Sequence, residues 1–254
     1  AVSSSEVLAQ LRDFVARLKG AKEPRTSGDV PALLSIAELQ RRFEADSKQE
    51  ISQEDFIAYL RRLEDSDDID VLAFHSIGQT PRLEDQVLLD PTRIDAYASA
   101  LLVAAKDEPD GPGHLLESRI HEGDFKLEQS ERLVSRDFEK HVLWFVVENL
   151  FARDLALRET IQGSEYVVFP AQCTSPMTFP GGTAFGVALG MQGPIRSIYA
   201  TLIAQLAHYE GFSRREFFRD AAAYHTKTGN RCLVRLLDKG DGTGELQVSF
   251  DSQT

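Results

Sequence analysis

The chain has 254 residues, 42% hydrophobic and 27% charged, which is enough for one large domain or two small ones with cores of their own. Acidic residues outnumber basic ones by 40 to 28, and a formal charge of -12 repels phosphate backbones and anionic lipid unless a basic patch reverses the field; the sequence offers none. Cys173 and Cys232 lack metal-type spacing, and neither a secretory apolar region nor a bilayer-length run is present, so a reducing, cytoplasmic setting is expected.

Val7, Leu8, Leu11, Phe14, Val15 and Leu18 recur at helical spacing up to Gly20 and predict a leading helix, followed by a linker to Asp29. The chain starts at Ala1, almost directly on this charged amphipathic segment, as expected of a piece excised from a larger protein. Ser35 with Glu38, and Ser52 with Asp55, are capping signatures for two further helices, the second presenting Phe56, Tyr59, Leu60 and Leu63 on one face. The apolar pieces at 69–74 and 87–89 are too short for helices and read as a two-stranded wing. That order is the order of a winged-helix unit.

Asp90-Pro91 starts another helix, with Ile94, Tyr97, Ala98, Leu101, Leu102 and Ala105 on its buried face. The run Asp107-Glu-Pro-Asp-Gly-Pro-Gly113 ends it and marks a subdomain boundary. Residues 115–120 predict a short helix and 138–149 a mostly buried one. Residues 155–159 and 165–169 then flank Gln162-Gly163 as a hairpin. A strand is predicted at 184–191, and an amphipathic helix opens at Pro194 with the stripe Ile195, Ile198, Tyr199, Leu202, Ile203 and Leu206. Strands at 217–224, 231–237 and 244–250 complete the chain, the last two joined by a glycine-rich turn.

The motifs that could carry chemistry read more simply as structure. Gly181-Gly-Thr-Ala-Phe-Gly186 lacks the lysine and following hydroxyl of a phosphate loop. Gly240, Gly242 and Gly244 suit a tight hairpin, and Asp238 and Asp241 are out of phase for a calcium loop. Cys173 with His208 or His225 would be the minimum of a thiol hydrolase, yet no local signature surrounds it. His114, His121 and Glu122 lack the spacing that sets two imidazoles on one helical face. Arg61 and Arg62 invite a DNA reading, but residues 44–70 hold ten acids against three bases, a net charge of -7.

Taken in order, Val30-Pro-Ala-Leu-Leu34, Ile51-Ser-Gln-Glu-Asp-Phe56, Phe74-His-Ser-Ile-Gly78, Val87-Leu-Leu-Asp-Pro91, the helix ending near Leu150, Tyr166-Val-Val-Phe-Pro170 and the later helix with Arg214 to Asp220 resemble the COR (C-terminal of Roc) domain of Roc-COR (Roco) proteins over most of residues 30–250. Where that family has a tryptophan soon after the Asn/Asp-Pro pair, this chain has Thr92-Arg93-Ile94. The resemblance implies an α+β fold: a helical, winged-helix-like N-terminal subdomain followed by an antiparallel sheet with packed helices. It divides the chain into a leading helix and linker (1–29), a first subdomain (30–113) and an α/β second subdomain (114–254). It also implies a non-enzymatic regulatory and dimerisation module that relays conformational change from an upstream GTPase or other NTPase domain, with no cofactor or metal and neither nucleic acid nor membrane as partner. A winged-helix transcriptional or nucleic-acid-binding regulator is the alternative. The homodimer surface is expected at Phe212, Arg214, Arg215, Phe217 and Phe218, where aromatic anchors sit beside cationic rim residues.

Overall fold

The computed structural model describes residues 3–20, 33–73, 80–109, 111–178 and 186–251. The chain is a mixed α+β protein in which every described strand pairing is antiparallel. It forms two compact units, residues 1–97 with 127–146, and residues 98–126 with 147–254. The 107–113 segment therefore lies within the second unit, apart from Asp110, which is outside the described residues.

The first unit opens with α1 (Ser4–Gly20), β1 (Leu33–Ser35), α2 (Ile36–Ser47), α3 (Gln53–Glu64), β2 (Asp70–Leu72) and β3 (Gln86–Leu88). Both capping signatures form: Ser35 Oγ accepts from the Glu38 N–H at 3.2 Å and Ser52 Oγ from the Asp55 N–H at 3.1 Å. Each satisfies an amide that the first turn would leave orphaned. The three helices meet on aromatic rings, with Phe43 packed 5.6 Å from Phe14 and 6.3 Å from Phe56 between ring centres. Val7, Leu11, Phe14 and Val15 of α1 are buried in this core, so the leading helix is an integral part of the unit. The two expected strands are joined by a third: β1 pairs with β3 through Leu33↔Leu88, and the sheet order is β1-β3-β2. Three residues are too few for a periodic signal, and the strand becomes visible only through its partner. The 74–78 turn lies outside the described residues.

Residue Tyr97 sits on α4 (Thr92–Lys106), and the stretch 127–146 carries the first part of α6 (Arg136–Ala152). Tyr97 is fully buried; its hydroxyl donates to Glu139 Oε1 at 2.9 Å and accepts the Leu133 N–H at 2.9 Å. The Glu139 carboxylate, itself 2% exposed, also receives Arg132 at 2.8 Å and Arg136 at 3.1 Å. A buried carboxylate is tolerated when its lone pairs are filled in this way. Burial, aided by the Glu139 charge, raises the Tyr97 phenol well above its ordinary pKa, so the hydroxyl stays a donor.

In the second unit, β4 (His114–Leu116) takes the first two residues of the segment predicted as a helix, and the helix is α5 (Glu117–His121). The hairpin of β5 (Leu157–Ile161) and β6 (Ser164–Val168) turns at Gln162 (φ 52°) and Gly163 (φ 83°), the left-handed pair that a two-residue connection needs. A short 3₁₀ turn, Pro170–Gln172, follows it. Five strands then form the main sheet around α7 (Ile195–Ala207): β7 (Val187–Gln192), β8 (Phe212–Phe217), β9 (Ala221–Thr226), β10 (Arg231–Asp238) and β11 (Thr243–Asp251), in the order β7-β11-β10-β9-β8. The single strand expected at 217–224 is two strands, β8 and β9, broken by a turn at 218–220. Phe218 N–H closes that turn on the Ala221 carbonyl at 2.9 Å. Helix α7 lies over β10 and β11, burying Ile195, Tyr199, Ile203, Ala204 and Ala207. Ile198, expected in the buried stripe, is 41% exposed.

Removing only the Tyr97 hydroxyl strips a donor from a buried carboxylate and an acceptor from a buried amide. Tyr97→Phe is expected to cost about 1–3 kcal/mol, read as a lowered urea midpoint with an unchanged m-value.

Candidate functional site

Strand β8 and its turn hold all five residues expected at the dimer surface, and the main sheet uses them differently from that expectation. Phe217 is 7% exposed and meets Tyr224 edge-on with ring centres 6.2 Å apart, inside the core. Phe212 is half-buried, 4.8 Å from the Tyr224 ring and 5.3 Å from Tyr209. Tyr224 itself is fully buried and donates its hydroxyl to the Ile203 carbonyl of α7 at 2.6 Å. Phe212 and Phe217 thus flank the ring that ties sheet to helix, and neither is the exposed anchor that the sequence suggested. The reason is the β8–β9 turn, which folds the aromatic pair onto the inner face beside Tyr224.

Arg215 lies opposite Tyr224 on β9 and pairs with Glu159 of β5 at 3.1 Å, where its side chain is 23% exposed. Burial holds the Glu159 carboxyl above its ordinary pKa, and the nearby guanidinium pulls it back down. Such a pair joins two sheets of one unit and is not a solvated rim. Arg214 pairs through its backbone with His225, and its side chain is outside the described residues. Phe218 is half-buried.

The candidate catalytic groups are also accounted for. Cys173 is 4% exposed; its thiol donates to the Phe169 carbonyl at 3.6 Å and is pushed up to about 12 by burial, far from a thiolate at neutral pH. Gly113, at φ +92°, leaves room for it, because a Cβ there would fall 2.6 Å from the Cys173 sulfur. The imidazoles weighed as its partner face carboxylates, His208 at 3.5 Å from Asp154 and His225 at 3.9 Å from Glu216.

In the glycine-rich turn, Gly240 and Gly242 have φ of +79° and +78°, whereas Gly244 serves a close approach, its missing Cβ lying 2.8 Å from Ile195 Cδ1. Asp238 accepts the Gly240 N–H at 2.8 Å and Asp241 the Thr243 N–H at 2.9 Å, so both carboxylates shape the turn. Among the described residues no group of three His, Cys, Asp or Glu side chains could hold a metal ion, and no helix is long and apolar enough to cross a membrane. The 181–186 glycine motif is outside the described residues apart from Gly186.

Two concavities among the described residues of the second unit carry arginines. One of about 400 Å³ is lined by Glu108, His114, Arg119 and Tyr166 among others. Its guanidinium is committed to Glu108 at 2.8 Å and Asp124 at 3.0 Å. The other, about 350 Å³, contains Arg196, Arg219, Asp220 and Asp238. There Arg196 bridges Asp220 at 3.2 Å and Asp238 at 2.9 Å, and Arg219 reaches Asp220 at 3.1 Å. In the first, two carboxylates neutralise the arginine that an anionic ligand would need; in the second, Asp220 and Asp238 hold Arg196 and Arg219, and Arg235 also lines the wall. Sequence reasoning missed these ion pairs, whose partners lie up to 42 positions apart. Compared with known proteins, the sequence matches no family model and no curated protein.

Both cysteines are buried and free, so dithio-bis-nitrobenzoate should label neither rapidly in the native chain and both in urea. Fast native labelling of Cys173 would restore the thiol chemistry. Burial lowers the His114 pKa, against the pull of the Pro112 and Gly111 carbonyls. Below its unfolded value of 6.5 the unfolded chain therefore takes up the proton first, and stability falls as pH drops. Urea titrations at about pH 7 and about pH 5 should show a shallower loss for His114→Gln than for the parent chain.

Proposed function

We propose that this chain is a non-enzymatic regulatory and self-association module of the COR type, relaying conformational change between an upstream GTPase or other NTPase domain and effector domains, with a cytoplasmic setting. The observation that carries this reading is the order of elements. Helix, short strand, two capped helices and two further strands share one unit, in the order expected of a winged-helix subdomain, and an antiparallel sheet packed by α7 lies in the other. The two carboxylates that hold Arg119 in one concavity and the protonated Cys173 also favour a binding and relay role over chemistry.

The rival is a winged-helix nucleic-acid binder, for which α3 would enter the groove. Arg61 and Arg62 are exposed on it, but so are Glu54, Asp55 and Asp65 on the same helix or its cap. Phosphate contacts there would meet like charge.

Calorimetry should detect no binding of GTP or ATP to the purified chain, and a gel shift with duplex DNA at low salt should be blank. Micromolar nucleotide affinity would refute the relay module as a partner that needs a separate NTPase. A salt-sensitive DNA shift abolished by Arg61→Ala with Arg62→Ala would favour the rival.

A further inference from the structure

The two edges of the main sheet are built differently. Strand β8 carries three consecutive charged residues, Arg214, Arg215 and Glu216, and its pairing with β9 is broken by a register shift between Phe212 and Arg214. Charges and bulges of this kind are how an edge discourages further pairing. Strand β7 has neither. It is Val-Ala-Leu-Gly-Met-Gln, in unbroken register with β11 from Val187↔Val248 to Gln192↔Thr243. It lies in a run of 30 residues, Tyr166 to Ile195, that contains no Asp, Glu, Lys, Arg or His in a chain that is 27% charged.

Among the described residues nothing covers this edge. All of β7 is exposed except the half-buried Met191, with Val187 at 49% and Leu189 at 55%. Both side chains share the face of Leu246 and Val248, the face that α7 seals further along the sheet, and Phe250 on the same face of β11 is 74% exposed. As an edge strand, β7 directs the N–H and C=O of every second residue away from β11.

We propose that β7 pairs antiparallel with β7 of a second copy of this chain about a twofold axis, joining two five-stranded sheets into one. This rests on the self-association reading above and moves its surface from β8 to the opposite edge. The occupant follows from self-complementarity. With the axis at Leu189, Val187 meets Met191 of the second copy on the apolar face, Ala188 meets Gly190 on the other, and Leu189 meets its own equivalent. Charge points the same way: two chains of -12 repel, and an uncharged edge is where they approach without opposing like charges. The seam is roughly 20 Å long. With Val187, Leu189 and Phe250 added it reaches the lower end of interface sizes, below about 1,200 Å² in total, so a micromolar dimer is expected.

Sedimentation velocity of the whole chain from low to high micromolar concentration should show a monomer–dimer equilibrium. Leu189→Lys and Val187→Lys, both at half-exposed positions, should each raise the dissociation constant on the order of 100-fold with the far-UV circular dichroism unchanged. Ser213→Lys on the β8 edge should leave it unaltered. Leu189→Cys should form an intermolecular disulfide under mild oxidation, which the buried native cysteines do not. A dimer indifferent to both β7 lysines would overturn the proposed seam and leave self-association standing. A strict monomer throughout would overturn the seam and the self-association reading together, and leave the edge for a strand of a different protein.

Discussion

One helix has to cover five strands. A five-stranded antiparallel sheet is roughly 24 Å across, and a helix with its side chains is roughly 10–12 Å wide. Helix α7 therefore seals the middle of the sheet, over β10 and β11, and something else must cover the flanks. On the β8–β9 side that cover is present: Leu157, Val168 and Cys173 share one apolar cluster with Phe217, Ala222 and Tyr224. Beyond β11 the described residues supply no equivalent, and exposure rises to 49% and 55% at Val187 and Leu189. The asymmetry of the second unit is a consequence of this mismatch in width.

The same constraint explains why Phe212 and Phe217 pack inward. Tyr224 occupies the corner where α7, β9 and β8 meet, and a buried phenol must find an acceptor, which it does in the Ile203 carbonyl. Its ring then needs apolar neighbours on both sides, and Phe212 and Phe217 are the side chains that β8 brings there. Arg215, on the same face, would be a buried charge without Glu159 beside it. A stretch that looks like anchors and rim in one dimension becomes a packed corner in three.

In the first unit, charge and apolar surface are separated with little conflict. The acids of residues 44–70 all lie at exposed or half-buried positions, while Phe56, Ile57, Leu60 and Leu63 of the same segment are buried. Arg12 and Arg17 of α1 answer part of that acidity, at 2.7 Å from Asp68 and 2.5 Å from Asp46. Exposed pairs of this kind contribute little to stability. The aromatic contacts of Phe43 carry the packing of the three helices.

Elements whose signal is local were legible in one dimension. The Ser35 and Ser52 caps, the apolar faces of α1 and α3, the Gln162-Gly163 turn and the hairpin glycines each rest on residues within one or two turns of each other, and each was readable without a partner. Features that depend on distant chain emerged only on folding. Strand β1 exists because Leu33 finds Leu88, and 217–224 splits because Phe218 turns back on Ala221. Ile198 faces out because α7 rotates Tyr199 and Ile203 onto Tyr224. Which edge of the sheet stays open was likewise illegible: a strand is predicted at 184–191, and only the position of α7 over β10 and β11 shows that no helix among the described residues covers Val187 and Leu189. Periodicity reports that a side chain prefers burial; where the covering layer ends is set by geometry between segments, which no local pattern encodes.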